Sequence, residues 1–419
     1  MRILWVKSGG LLPPDTGGRI RSYSLLRELA HHSSVDLFLF YPEHEQDIHA
    51  QLKEICRQVT LMPLPIAPPK SRADYARYAR NLFSLQPYAV AKYCRPAVKR
   101  ALAQLLEREA YDVIVCDFLL TASVFPSRLR SPMVIFTHNV EAQIWQRHFE
   151  VSANPIWKAV SWREYKTMTW LEERQLRRAD FVLTVSENDL EFFTGVIPRE
   201  KLAAIPTGVD IDYFSPGAEA ELPNSLVFTG SMDWLPNEDA IHFFAGEILP
   251  LIRREIPDVT LCVAGRSPSQ GLLDLADREQ SLHVTGSVPD IRPYMNRASV
   301  YIVPLRIGGG TRIKIFEAMA AGKAVVSTTL GAEGLPVQHG QNILLADRPD
   351  EFANHVIELL RDQNKRGALG KAARQLVAQN YSWRSVAQQL ADILGRVILS
   401  SRSREFSATR LSGGYRARR

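Results

Sequence analysis

Short runs of consecutive apolar residues recur along the chain. Between them lie longer segments in which apolar positions return every three or four residues. The short runs fall at 3–6, 35–40, 113–116, 133–136, 181–185, 226–229, 260–264, 283–285, 300–303 and 324–327. An unbroken apolar run of this length predicts a strand buried on both faces, because a strand with one wet face would alternate. The intervening segments, such as "SYSLLRELAHH" and "IKIFEAMAAG", carry the helical period. Strand and helix in turn predict doubly wound parallel sheets, an α/β fold. The alternation breaks at 203–225, "AAIPTGVDIDYFSPGAEAELPNS", which holds three Pro and two Gly, and a second strand opening, "LVFTGS", follows it. The expected organisation is an N-terminal domain at 1–205, a linker at 206–224 and a second domain at 225–382. A terminal amphipathic helix at 383–400 and a tail at 401–419 complete it.

Length agrees with two domains, since 419 residues exceed one ordinary core. The four cysteines, Cys56, Cys94, Cys116 and Cys262, form no Cys-x-x-Cys pair. Cys116 and Cys262 sit in strand-like runs and read as buried thiols of a reducing compartment. A strand opening directly at residue 1, with no leader, is the expectation from "MRILWVKS", and no apolar run reaches the roughly 18 residues of a spanning helix. A cytoplasmic location is expected. The net charge of +6 is not a nucleic-acid signature. The tail alone carries six Arg and one Glu, which leaves +1 for the first 400 residues. Its Ser/Gly/Arg composition reads as disordered, either a solvated end or a segment drawn to an anionic membrane surface.

In this fold class ligands sit at the C-terminal ends of the strands. Three loops there carry chemistry. The first, "SGGLLPPDTGGRIRS" at 8–22, brings Gly17, Gly18 and Arg19 to a helix start. Bare amides there suit an anion, and a plain glycine-rich turn is the other reading. The second places Thr137, His138, Asn139 and Glu141 after the strand at 133–136. His138 is suited to hydrogen-bond a sugar hydroxyl or leaving group, or it is a structural histidine. The third, "PLRIGGGTRIKIFEAMAAGKAVVST" at 304–328, runs Gly308, Gly309, Gly310 and Thr311 into a helix with Arg312, Lys314 and Glu317. Backbone amides, a helix N-terminus and two cations make a diphosphate cradle, and a carboxylate one turn on suits paired hydroxyls such as those of a ribose. Walker A fails here, because Glu317 and Ala324 stand where a Gly and a hydroxyl residue belong. No His/Cys spacing suits a metal, so none is expected.

"GGGTRIKIFEAMAAGKAVVST", together with "IPTGVD" and "VSEND", resembles the nucleotide-sugar half of the family 4 glycosyltransferases. The resemblance implies the GT-B fold, two Rossmann-like doubly wound domains facing across a cleft, with no essential metal or other cofactor. It implies a retaining transfer from a nucleotide-diphosphate sugar to a glycan or lipid-linked acceptor, as in polysaccharide assembly, with possible peripheral contact to an anionic membrane. Glu317 would hold the donor ribose, His138 would lie beside the transferred sugar, and Gly17 and Gly18 near the diphosphate and acceptor. Two features depart from the family pattern. Gly309 stands where a second Glu is common, and Ser231 and Asn237, after Gly230 in "FTGSMDWLPNEDA", stand where relatives place Arg and Lys. Arg312 and Lys314 are expected to supply that charge, with Arg266 in "VAGRS" a weaker source. An acceptor surface is suggested by "SRADYARYARNLFSL" at 71–85, which interleaves arginines with aromatic and aliphatic residues. A GT-B epimerase using Asp15 or Glu141, or a non-catalytic nucleotide-sugar-binding protein, are the rival readings.

Overall fold

A computed structural model of the chain describes residues 1–68, 71–152, 154–307 and 313–414, without side chains at 46–47 and 404–414. The chain divides into two compact units. One is Met1–Pro206 with Ala387–Arg419, and the other is Thr207–Val386.

The first unit is built on seven strands, β1 (Arg2–Ser8), β2 (Ser34–Pro42), β3 (Gln58–Leu64), β4 (Val113–Asp117), β5 (Met133–Phe136), β6 (Phe181–Thr184) and β7 (Leu202–Ala204). All pairs are parallel and the spatial order is β3-β2-β1-β4-β5-β6-β7. The second unit has β8 (Ser225–Thr229), β9 (Thr260–Ala264), β10 (Leu282–Gly286), β11 (Val300–Val303), β12 (Ala324–Ser327) and β13 (Leu344–Leu345). These are also parallel, in the order β10-β9-β8-β11-β12-β13. Each sheet grows one way from its first strand and then the other. The crevices at these switch points, between β1 and β4 and between β8 and β11, are where doubly wound sheets bind ligands. The apolar runs are buried as their pattern demands: β4, β5, β11 and β12 are buried along their whole length.

All ten expected strands are present. Three were not signalled. β3 lies at an edge, is half-exposed along most of its length and contains Pro63, so it shows neither a continuous apolar run nor clean alternation. β7 and β13 are edge strands of three and two residues, too short for any period. The 206–224 segment, expected as a linker, is packed into the second unit from Thr207 onward. Val209 bridges to Ser382, the Leu222 amide donates to the Arg297 carbonyl at 2.7 Å, and Glu221 pairs with Lys323. The terminal helix, Trp383–Gly414, continues well past residue 400. Between Gly395 and Gly413 the sequence has neither Gly nor Pro, so nothing halts a helix already nucleated on a packed segment. The four cysteines are free, Cys116 buried and Cys262 half-buried. No helix among the described residues is long and apolar enough to cross a membrane.

Candidate functional site

Each unit carries charged chemistry at its switch point. In the first unit the β1–β4 register sets Lys7 opposite Asp117. Both strands are apolar up to these residues and end at or beside them, so two opposite charges meet at the C-terminal edge of the sheet. Both are wholly buried, with Lys7 Nζ 3.3 Å from Asp117 Oδ2. Trp5, two residues back on the same face of β1, donates Nε1–H to Asp117 Oδ2 at 2.9 Å. His138, just beyond β5, places Nε2 2.7 Å from Asp117 Oδ1.

Burial alone would push the Asp117 carboxyl up. The Lys7 ammonium and the His138 and Ser22 bonds outweigh it and hold the carboxyl well below the usual range. Burial drives the His138 imidazole down to about 4 despite the pull of Asp117. A neutral ring beside an ionised carboxylate keeps its proton on Nε2 and leaves Nδ1 a bare acceptor. Nδ1 is buried without a protein partner. The ring stacks on Phe118, with centroids 4.1 Å apart, and Lys7 Nζ lies 4.4 Å from the same Phe118 centroid. Phe118 reaches that position with φ at +76°, a conformation an L-residue adopts only under constraint.

Gly18 closes over this cluster. A Cβ there would stand 3.1 Å from Phe118 Cζ and 3.5 Å from His138 Nδ1. Gly17 and Gly18 open the helix Gly17–Ala30, whose N-cap Thr16 makes no side-chain capping bond, so the first-turn amides have no such partner. A cavity of about 270 Å³ lies against them, lined by Lys7, Gly9, Gly10, Gly18, Arg19 and Phe118 among others. Arg19 lines the cavity but is also committed to the loop, donating to the Gly9 carbonyl at 3.1 Å and to Glu45 at 2.8 Å. Of the other residues expected here, Thr137 bonds the Leu183 carbonyl and is structural, and the Glu141 amide is capped by Glu172 at 2.8 Å.

In the second unit β8 and β9 end together. A Cβ on Gly265 would fall 1.7 Å from the Gly230 carbonyl oxygen, so only glycine permits this approach. Lys314, in the first turn of the helix Ile313–Ala320, donates Nζ to Asn237 Oδ1 at 2.7 Å and stands 4.1 Å from the Phe228 centroid. The Gly230 Cα faces the same ammonium, since a Cβ there would lie 2.7 Å from Lys314 Nζ. Arg266 donates Nε–H to Ser231 Oγ at 2.9 Å. Ser231 and Asn237, where the family resemblance leads one to expect cations, thus each accept from a cation carried by another element. Glu317, one turn after Lys314, is half-buried, and burial pushes its carboxyl up to about 7 against the pull of Lys314. Gly308, Gly309, Gly310, Thr311 and Arg312 lie outside the described residues. Lys323, the residue of the failed Walker pattern, is tied to Glu221 at 2.6 Å and the Asn296 carbonyl at 3.2 Å, a structural role. Among the described residues no three His, Cys, Asp or Glu gather as metal ligands.

Residues 16–213 match the model of Glycosyltransferase Family 4, and residues 223–362 match that of Glycosyl transferases group 1. Both halves of the chain thus match glycosyltransferase families, the first of them family 4. An uncharacterized 44.6 kDa protein in the cps region of Klebsiella pneumoniae is 21% identical over 403 residues, 92% of this chain and 97% of that one. A GDP-mannose-dependent alpha-(1-6)-phosphatidylinositol monomannoside mannosyltransferase of Mycobacterium tuberculosis is 32% identical over 221 residues, 47% of this chain and 56% of that one. The match to the named mannosyltransferases thus spans about half their length. Among solved structures, Anabaena HepE in complex with UDP and glucose superposes with a TM-score of 0.62 at 16% identity, covering 94% of this chain and 99% of that one. Sucrose-phosphate synthase of Thermosynechococcus elongatus gives 0.63 at 20% identity, covering 95% and 99%. The glycosyltransferase has the GT-B fold.

The Lys7–Asp117–Trp5 cluster under His138 did not emerge from the sequence reading. Its signal was present: a Lys in the apolar run "ILWVKS" and an Asp closing "VIVCD", each at the end of a strand otherwise fully apolar.

Proposed function

We propose that this glycosyltransferase moves a sugar from a nucleotide-diphosphate donor to a glycan or lipid-linked acceptor, with retention of anomeric configuration, in polysaccharide assembly on the cytoplasmic side of the cell membrane. The observation that carries the donor reading is the second-unit constellation of Gly230, Lys314, Asn237, Arg266 and Glu317 at the β8–β11 switch point. A cation pair there suits a diphosphate, which gains negative charge as the sugar leaves, and a half-buried carboxylate beside it suits the hydroxyls of a ribose. Arg312 is assigned to the same charge. No metal is part of this reading; the leaving group is stabilised by side chains and backbone amides. The solved HepE complex with UDP and glucose, the GDP-mannose-dependent relatives and the cps-region relative support the donor class and the polysaccharide context.

On the first unit, His138 Nδ1 offers one buried acceptor for a sugar hydroxyl, fixed in direction by Asp117. The amides of Gly17 and Gly18 offer donors to an anionic group. The test is a thermal-shift panel of UDP-, GDP-, TDP- and ADP-sugars on the purified protein, followed by transfer assays with the stabilising donor. Stabilisation by one nucleotide-sugar class is expected. No shift with any donor at millimolar concentration would refute the donor reading.

A further inference from the structure

We infer that one face of the first unit is a docking surface for an anionic lipid bilayer, centred on the loop after the helix Arg72–Asn81 and on the helix Pro155–Arg178 packed against it. This deepens the membrane location proposed above by naming the surface, and its test needs no donor, so it can fail while the transfer reading stands.

The loop at 82–86 is held in place. The Arg163 guanidinium donates to the carbonyls of Asn81 at 2.7 Å, Gln86 at 3.1 Å and Ser84. Buried Glu164 beside it accepts from the Tyr78 hydroxyl at 3.2 Å and the Tyr88 amide at 3.1 Å. A loop anchored by that many bonds has a defined course, and this course turns its large apolar residues outward. Phe83 is 95% exposed and Leu85 84%. Two large apolar side chains held in water are apolar surface left without a partner. The neighbouring helix continues the pattern: Trp162 and Trp170 are half-exposed, with exposed Lys166 midway between them at four-residue spacing, which puts all three on one stripe.

The charge around these residues selects the partner. The stretch 71–85 carries three Arg against one Asp, and Arg80 is exposed one turn before Phe83. Protruding Phe and Leu, flanking Trp and a basic rim match the boundary between headgroups and acyl chains of an anionic bilayer, where the aromatic rings insert and the cations meet lipid phosphates.

The experiment is sedimentation of the full-length protein with vesicles of phosphatidylcholine alone or with about 30 mol% phosphatidylglycerol, whose negative surface potential attracts basic segments. Wild type is expected to bind the anionic vesicles and to dissociate in high salt. Phe83→Ser/Leu85→Ser, both solvent-facing and safe for folding, should lower the partition coefficient at least about tenfold, since each apolar insertion is worth an order of magnitude or more. No binding by wild type, equal binding to neutral vesicles, or a double variant that binds like wild type would each overturn the inference. The last outcome would move the attachment to the terminal tail.

Discussion

Replacing Asp117 by Asn tests the buried cluster under His138 most directly. The substitution keeps shape and removes one charge. Three groups converge on this carboxylate: Trp5 Nε1–H at 2.9 Å, His138 Nε2 at 2.7 Å and Lys7 Nζ at 3.3 Å. An amide has only one oxygen. With that oxygen turned to Trp5 and Lys7, its NH₂ faces His138 Nε2, which must then become an acceptor. The ring proton moves to Nδ1, and the bare acceptor beneath Gly18 becomes a donor. Lys7 meanwhile is left as a wholly buried cation without its counter-charge. Breaking a buried pair in this way costs about 3–5 kcal/mol. For a unit of more than 200 residues that is on the order of 6–20 °C in the melting of the first unit. Lys7, whose pKa burial already lowers, limits the loss by releasing its proton, so the deficit should narrow as pH rises toward 10. Two measurements suffice: denaturant unfolding at pH 7 and pH 10, and the ¹⁵N shifts of His138, which report the tautomer. Adding Lys7→Met removes both charges and should recover most of the stability but not the tautomer. A stability loss under about 1 kcal/mol at pH 7, or an unchanged tautomer, would refute the account of the cluster.

Three further outcomes follow from the same geometry. Because burial holds His138 near 4 while the unfolded ring titrates near 6.5, the unfolded chain takes up a proton that the folded chain refuses; stability should fall by on the order of 3 kcal/mol from pH 6.5 to pH 4, and His138→Gln should flatten that slope in pH-dependent unfolding. Glu317 is shifted the other way: its carboxyl is raised to about 7, so the folded protein holds a proton above the ordinary carboxyl range and stability falls as pH rises toward 7, and Glu317→Gln should raise the melting temperature at pH 8 in the absence of nucleotide while weakening nucleotide binding in calorimetry. Lys314→Ala should lower turnover by about 10²–10³ with a smaller change in donor affinity, and Arg266→Ala should cost less, because charge on the leaving diphosphate grows toward the transition state; equal losses in affinity and turnover in steady-state kinetics would show that these cations only bind.

How much of this was legible in the sequence depended on whether a feature is written in local period or in long-range register. The central strands were legible because burial on both faces forces an unbroken apolar run, and β4, β5, β11 and β12 obey it fully. The edge strands were not, because an edge needs no such run. Lys314 and Glu317 stood out as candidates from a glycine run meeting a helix start, a purely local signal. The Lys7–Asp117 pair was not, since 110 residues separate its members and only the β1–β4 register brings them together. The same limit explains Ser231 and Asn237. Read locally they look like lost cations. In three dimensions Arg266 and Lys314 deliver charge to them from β9's exit and from the helix after β11. A diphosphate bound as proposed needs positive charge at the switch point, and nothing in its physics fixes which strand's loop must carry it. A substitution that removes a cation at one position is therefore weak grounds for inferring lost activity until the neighbouring strand ends have been searched for another.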